Sequence, residues 1–101
     1  MTAIVITRLR SHAADWECVT RSRPGEFDVL SQMAKAEGCL HHRVAVSDDD
    51  QDVILIDEWP DEEAYNRFAL NPTVIDLLQG LALQDPPETD YYRSIKDPAE
   101  F

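Results

Sequence analysis

The pattern of apolar and polar residues predicts a chain of short strands and helices. Four runs rich in β-branched and aromatic residues have the length and composition of strands. They lie at residues 3–9, 39–47, 53–59 and 89–95. Only a short acidic turn at residues 48–52 separates the second run from the third, so these two runs are predicted to form a hairpin.

Apolar residues spaced three and four apart predict helices over residues 26–36 and 61–79. Gly38 is suited to stop the first helix. The second is expected to break at Asn71-Pro72, because the residue before a proline avoids helical angles. Residues 11–23 are ambiguous, since Ser11 could cap a short helix there, and residues 81–87 are expected to form a loop.

This order of elements predicts a ferredoxin-like fold. Strand–helix–strand–strand–helix–strand is the split-βαβ pattern, which gives an α+β domain, here over residues 1–101. The four-stranded antiparallel sheet would carry its helices on one face and leave the other bare. That bare face would present Ile4, Ile6, Ile54 and Ile56, which are too apolar to remain in water. We therefore expect a homodimer whose two sheets pack face to face.

Charge and cysteine content restrict the class of partner. The formal net charge of −11 opposes binding to nucleic acid or to an anionic membrane surface. No apolar run approaches the length of a membrane span, and the N-terminal one is too short for a signal peptide. Cys18 and Cys39 have no metal-ligand spacing and are expected to be reduced thiols. These features predict a cytoplasmic protein that binds no metal.

The end of the third strand is the most informative position. Trp59 closes an apolar run just before Pro60 and a helix start, and such an aromatic usually borders a pocket. Tyr65 and Phe68 are three apart on the following helix and point to the same side. We expect the three rings to line a cavity between helices and sheet, although each could also be ordinary core packing.

The chain also resembles a known family, the antibiotic biosynthesis monooxygenases. The residues that carry the likeness are Glu37-Gly38-Cys39-Leu40 and, after a strand and an acidic turn, Ile56-Asp57-Glu58-Trp59-x-x-x-x-Ala64. The resemblance implies a dimeric α/β barrel of about this length. For quinone-forming members it implies oxidation of electron-rich phenols or anthrones by molecular oxygen without a cofactor. Their pocket Trp, and a Tyr six residues later, match Trp59 and Tyr65.

Three other positions depart from the patterns within this family. Some members have an Asn four residues before the pocket Trp and an Arg about twenty after it, where this chain has Leu55 and Gln79. Haem-degrading members have an Asn at the end of the first strand and a His on the second helical segment. Here Thr7 takes the place of that Asn and residues 61–81 contain no His, so haem degradation is not expected.

Cofactor-free oxygenation needs an apolar cavity, a base that forms the substrate anion, and donors for the developing charge. A histidine has a suitable pKa, and alternation sends His41 and His42 to opposite faces, so at most one reaches the cavity. The residues expected to be catalytic are Trp59, Tyr65 and His42. Those expected to bind substrate are Thr7, Leu55, Phe68 and Tyr92.

Two functions remain open at this stage. The first is a cofactor-independent monooxygenase that acts on a polycyclic or quinol-like aromatic, with molecular oxygen as its second substrate. The second is a non-catalytic dimeric barrel that binds or senses an apolar small molecule. Both require the same cavity, so only turnover separates them.

Overall fold

The computed structural model describes residues 2–79 and 87–101 as an antiparallel sheet with helices packed on one face. The strands are β1 (Ala3–Leu9), β2 (His41–Val46), β3 (Val53–Trp59) and β4 (Glu88–Arg93). The helices are α1 (Ala13–Ser22), α2 (Pro24–Ala36), α3 (Glu62–Ala69) and α4 (Pro72–Gln79). The strand order β2-β3-β1-β4 and the antiparallel pairings confirm the ferredoxin-like α+β fold.

Most element boundaries follow the predicted ones. β1 and β3 agree with the prediction, whereas β2 begins two residues later, at His41. The ambiguous segment 11–23 is helix α1, and His12 rather than Ser11 is its N-cap. α2 begins at Pro24, two residues earlier than predicted, because proline is well suited to the first turn of a helix. The loop predicted at 81–87 lies almost wholly outside the described residues.

The break predicted at Asn71-Pro72 separates α3 from α4. Leu70 is the C-cap of α3, and its backbone N–H donates to Asn66. Pro72 is then the first residue of α4, where its missing N–H has no helical partner to lose. The Asn71 side chain accepts a hydrogen bond from the Thr73 N–H at 2.9 Å.

Asp61 caps α3, and its side chain accepts a hydrogen bond from the Ala64 N–H at 2.8 Å. We expect Asp61→Ala to lower the free energy of unfolding by about 1 kcal/mol and the Tm by about 4–8 °C. Asp61→Asn keeps a capping oxygen and should change the Tm by much less. Equal losses in thermal denaturation of the two variants would contradict the capping role.

A cluster of buried residues lies where β3 meets α3. Val5, Trp59 and Ala64 are fully buried there and form one cluster. Gly38 joins α2 to β2 with φ of +102°, in the left-handed region that suits glycine. A Cβ atom at Gly38 would also lie 3.2 Å from the Pro60 ring. This turn therefore holds the end of β3 close to the start of β2.

The helix-free face of the sheet is apolar at its centre. Ile6 pairs with Ile56 across β1 and β3, and Ile4 and Ile54 flank this pair on the same face. All four side chains are only partly buried by their neighbours in the chain. Among the helices of the described part, none is long and apolar enough to cross a lipid bilayer.

Candidate active site

A cavity of about 850 Å³ lies between the helices and the sheet. Its walls are largely apolar, which is typical of sites for small organic ligands. The helices contribute Trp16, Phe27, Leu30, Phe68, Ile75 and Leu78, and the sheet contributes Thr7, Leu9, Val44, Leu55 and Thr89. The sequence prediction did not include Trp16. This residue reaches the cavity because α1 is a helix, and its ring packs edge-on against Phe27 at 5.7 Å.

Trp59 forms the base of the cavity beneath two other aromatic rings. The Tyr65 ring meets it edge-on with centroids 5.6 Å apart, and the Phe68 ring lies 5.3 Å away. These neighbours leave Trp59 no surface exposed to water, so it supports the cavity from behind. Its Nε1–H is buried and has no hydrogen-bond partner among the described residues, an arrangement that costs free energy unless a ligand accepts it.

His42 and Asp57 form a hydrogen-bonded pair on the cavity wall. The β2–β3 register places them directly opposite each other, and His42 Nδ1 lies 2.5 Å from Asp57 Oδ1. The His42 side chain is 56% exposed, whereas Asp57 is only 12% exposed. The hydrogen bond to Asp57 and the charge of that carboxylate raise the pKa of His42 above its ordinary 6.5, although partial burial opposes them.

Of the two adjacent histidines, His42 is the one that faces the cavity. His42 shares the cavity with Asp57, whereas His41 pairs with Glu58 on the helix-free face. Asp57 was not predicted as a site residue. The sequence does contain a signal for it, because strand alternation puts Asp57 on the same face as Trp59 and Leu55, where a charged residue needs a partner.

Tyr65 supplies a neutral hydroxyl near the cavity. Burial and the neighbouring Tyr91 raise the pKa of the Tyr65 phenol, while the Thr7 and Thr89 hydroxyls beside it act in the opposite direction. Its ring also packs edge-on against Tyr91, with centroids 5.8 Å apart. The phenol therefore stays protonated near neutral pH and can donate a hydrogen bond to an oxygen atom of a ligand.

Cys39 also reaches the cavity, but as an unreactive thiol. Its Sγ donates to the backbone carbonyl of His41 at 3.4 Å. Burial and the nearby Asp57 carboxylate raise the pKa of the Cys39 thiol, which disfavours the nucleophilic thiolate. Within the described part of the chain, no group of three His, Cys, Asp or Glu side chains is arranged to hold a metal ion.

The structure brings six of the seven predicted site residues to one cavity and places the seventh elsewhere. The six are Trp59, Tyr65, His42, Thr7, Leu55 and Phe68. Tyr92 is the exception: it pairs with Ile4 on the helix-free face and is 56% exposed. Its neighbour Tyr91 contacts Tyr65 instead. The expected contribution of Tyr92 to this cavity is therefore corrected, since successive strand residues point to opposite faces.

Several solved structures share this fold over nearly the whole chain. SnoaB, a cofactor-independent oxygenase from Streptomyces nogalater, is 19% identical, covers 98% of both chains and gives a TM-score of 0.70. Rv0793 from Mycobacterium tuberculosis is 15% identical, with 98% of this chain and 100% of that chain covered and a TM-score of 0.68. A putative antibiotic biosynthesis monooxygenase from Nitrosomonas europaea is 10% identical. The match covers 93% of this chain and 90% of that chain, with a TM-score of 0.71.

The family follows from the sequence match rather than from these distant structures. The family model described as "Antibiotic biosynthesis monooxygenase" matches residues 26–77, just over half of the chain. The protein therefore belongs to the antibiotic biosynthesis monooxygenase family. The comparison with curated proteins gives no match.

Proposed function

We propose that this protein is a cofactor-independent monooxygenase that oxidises a polycyclic or quinol-like aromatic with molecular oxygen. The observation that carries the proposal is the His42–Asp57 pair on the wall of a large apolar cavity. Such a cavity suits a flat aromatic ligand, and the pair supplies the base that cofactor-free oxygenation requires. Membership of the family and the likeness to an oxygenase fold support the same assignment.

The proposed reaction begins with proton transfer to His42. In the neutral ring, Asp57 accepts a hydrogen bond from Nδ1–H, which leaves Nε2 as the basic nitrogen. Nε2 takes a proton from a phenol or from an activated CH₂ group, and the substrate becomes an electron-rich anion. Asp57 then stabilises the resulting imidazolium by charge, so it acts on the reaction through His42 as a positioning residue.

Oxygen then receives the electrons of the substrate anion. One electron passes to O₂, and the superoxide and substrate radical combine to form a C–O bond. The peroxide anion recovers a proton from the His42 imidazolium. Loss of the proton that remains on the oxygenated carbon breaks the O–O bond, which leaves C=O and releases water. The carbon is oxidised by four electrons and O₂ is reduced by four, so no external reductant is needed.

The other cavity groups orient the substrate and stabilise charge. Tyr65, with Thr7 and Thr89 beside it, can donate hydrogen bonds to phenolic or peroxide oxygens. Leu55 and Phe68 present apolar surface to the rings. The unpartnered Trp59 N–H lies at the cavity base, where a ligand oxygen within reach would supply its missing acceptor.

A homodimer in the cytoplasm completes the proposal. The supporting observation is the helix-free face, where Ile6 and Ile56 pair at the centre of an apolar patch. A second copy of the same face would cover it without using the cavity, which lies on the other side of the sheet. Cys18 and Cys39 form no disulfide, in keeping with a reducing compartment.

Oxygen uptake with a panel of anthrones and hydroquinones tests this function. For each anthrone we expect uptake of one O₂, a quinone product, and no accumulation of hydrogen peroxide. For each hydroquinone the same stoichiometry requires a hydroxyquinone as product. Binding of these compounds without any uptake above the uncatalysed rate would instead support a non-catalytic barrel that binds or senses an apolar small molecule. The observation that favours this second candidate is Leu55 on the cavity wall. It is apolar, whereas some family members have a polar Asn at this position.

Trp59→Phe separates a functional role of Trp59 from simple packing. We expect oxygen uptake per folded protein to fall about tenfold, because the Nε1–H donor is lost, while the Tm changes by only a few degrees. Trp16→Phe is the matched control, since it changes the other cavity tryptophan, which lies on α1. A large fall in Tm with unchanged turnover per folded molecule would make Trp59 a packing residue only.

A further inference from the structure

Among the described residues of the cavity wall, His42 is the only basic side chain. This part of the wall includes no Lys and no Arg. The residues outside the described part are Met1 and 80–86, and their sequence also contains no Lys or Arg. Because His42 is already paired with Asp57, no cation on the described part of the wall remains to pair with an anionic ligand.

Arg8, Arg43 and Arg67, on β1, β2 and α3, lie outside the cavity wall. Arg8 lies on the helix-free face and forms an ion pair with Glu88 at 3.6 Å. Arg43 also lies on that face, opposite Ile56. Arg67 on α3 pairs with Glu37 at 3.0 Å and is not part of the cavity wall.

The polar groups that do line the cavity suit neutral oxygen atoms. Thr7, Thr20, Ser31 and Thr89 offer hydroxyls that can both donate and accept. Asp57 is the only carboxylate among the described wall residues. A ligand carboxylate would therefore enter an apolar space without a counter-charge and near a like charge, which is strongly unfavourable.

We infer that this cavity selects neutral hydroxylated polycyclic aromatics and rejects those that carry an ionised carboxylate or phosphate. The inference rests on the proposed function and names its substrate class. Polycyclic aromatics that begin as carboxylic acids would have to be decarboxylated, esterified or amidated first. The reaction that supplies the substrate is then of one of those classes, and oxygenation follows once the substrate has lost its carboxylate charge.

Binding of three matched compounds tests the inference. They are a dihydroxyanthraquinone, the same ring system with one carboxyl group, and the methyl ester of that acid. Calorimetry at neutral pH should give similar Kd values for the parent and the ester, and a Kd at least about 100-fold weaker for the acid. The ester controls for size, so a difference between acid and ester reports charge alone.

A variant that adds a cation gives the complementary test. Gln79 lines the cavity as the last residue of α4, where a positive charge also suits the negative end of the helix dipole. Gln79→Arg should bring the Kd of the acid to within about tenfold of the ester. Gln79→Met has a similar length but no charge, and it should leave the 100-fold preference for the ester intact.

The outcomes separate this inference from the proposed function. If the acid binds wild-type protein as tightly as the ester, or if none of the three compounds binds, the inference is overturned. If the parent and ester bind, the acid does not, and the corresponding anthrones give no oxygen uptake, the selectivity stands and the oxygenase function fails. Uptake with a carboxylated anthrone at the rate of its ester would overturn the selectivity and leave the oxygenase function standing.

Discussion

His42→Gln is expected to lower oxygen uptake by at least about 100-fold, because the variant loses the base that takes the substrate proton. The glutamine amide can still donate a hydrogen bond to Asp57, so the buried carboxylate keeps a partner and the fold is preserved. Steady-state oxygen uptake with an anthrone measures the loss of activity, and the far-UV circular dichroism spectrum of the variant checks that the fold is preserved. Binding of the corresponding quinone should be retained within about tenfold, since the apolar walls are unchanged.

The dependence of the rate on pH tests the role of Asp57. His42 is active when neutral, and its pKa is raised by Asp57, so the rate of the wild-type protein should increase as the pH rises through that raised pKa. In Asp57→Asn the hydrogen bond to a charged carboxylate is lost, and the pKa of His42 should fall. The rising limb of the profile should therefore shift to lower pH, while the plateau rate also decreases because the imidazolium is less stabilised.

His41→Gln is the matched control for both experiments. His41 is the neighbouring residue in sequence, yet it lies on the helix-free face opposite Glu58. The same substitution there should leave the rate of oxygen uptake within about twofold of wild type at each pH. Equal losses in the two variants, or an unshifted limb in Asp57→Asn, would remove the pair from the mechanism.

The sequence predicted the central strands well because their pattern has only one consistent solution. β3 alternates between residues that face the helices and residues that face away, and every second side chain, from Val53 to Trp59, belongs on the helix side. The hairpin turn then sets the register that places His42 opposite Asp57. The pair could have been predicted from this alternation, since both residues lie on the face already assigned to Trp59.

Elements without a strong apolar pattern were harder to predict. α1 has no fully buried residue, so its sequence gave no clear helical face, and the contribution of Trp16 to the cavity was not predicted. β4 is largely polar, and its adjacent Tyr91 and Tyr92 differ only by which face each occupies. Nothing in such a strand indicates the register, and a shift of one residue exchanges the two tyrosines.

Ile56→Asp is expected to abolish the proposed dimer and to destabilise the fold. Ile56 lies opposite Ile6 at the centre of the helix-free face, so a charge there would lose its hydration in both subunits, a cost that the cross-strand Arg43 offsets only in part. At about 25 cal/mol per Å², an apolar face of several hundred Å² contributes on the order of 10 kcal/mol before the costs of association. We expect the variant to aggregate, or to lose more than about 10 °C in Tm, because the monomer cannot cover this face by itself.

Light scattering at micromolar concentration measures the assembly directly. Wild-type protein should give a particle of twice the 11.5 kDa chain mass. Leu70→Asp is the control, since it makes a similar change at a leucine that is 72% exposed at the end of α3, and it should remain a dimer. A wild-type particle of one chain mass would disprove the dimer. A wild-type dimer that persists in Ile56→Asp with an unchanged Tm would instead place the interface elsewhere, because burying a carboxylate from each subunit at its centre carries a large desolvation cost.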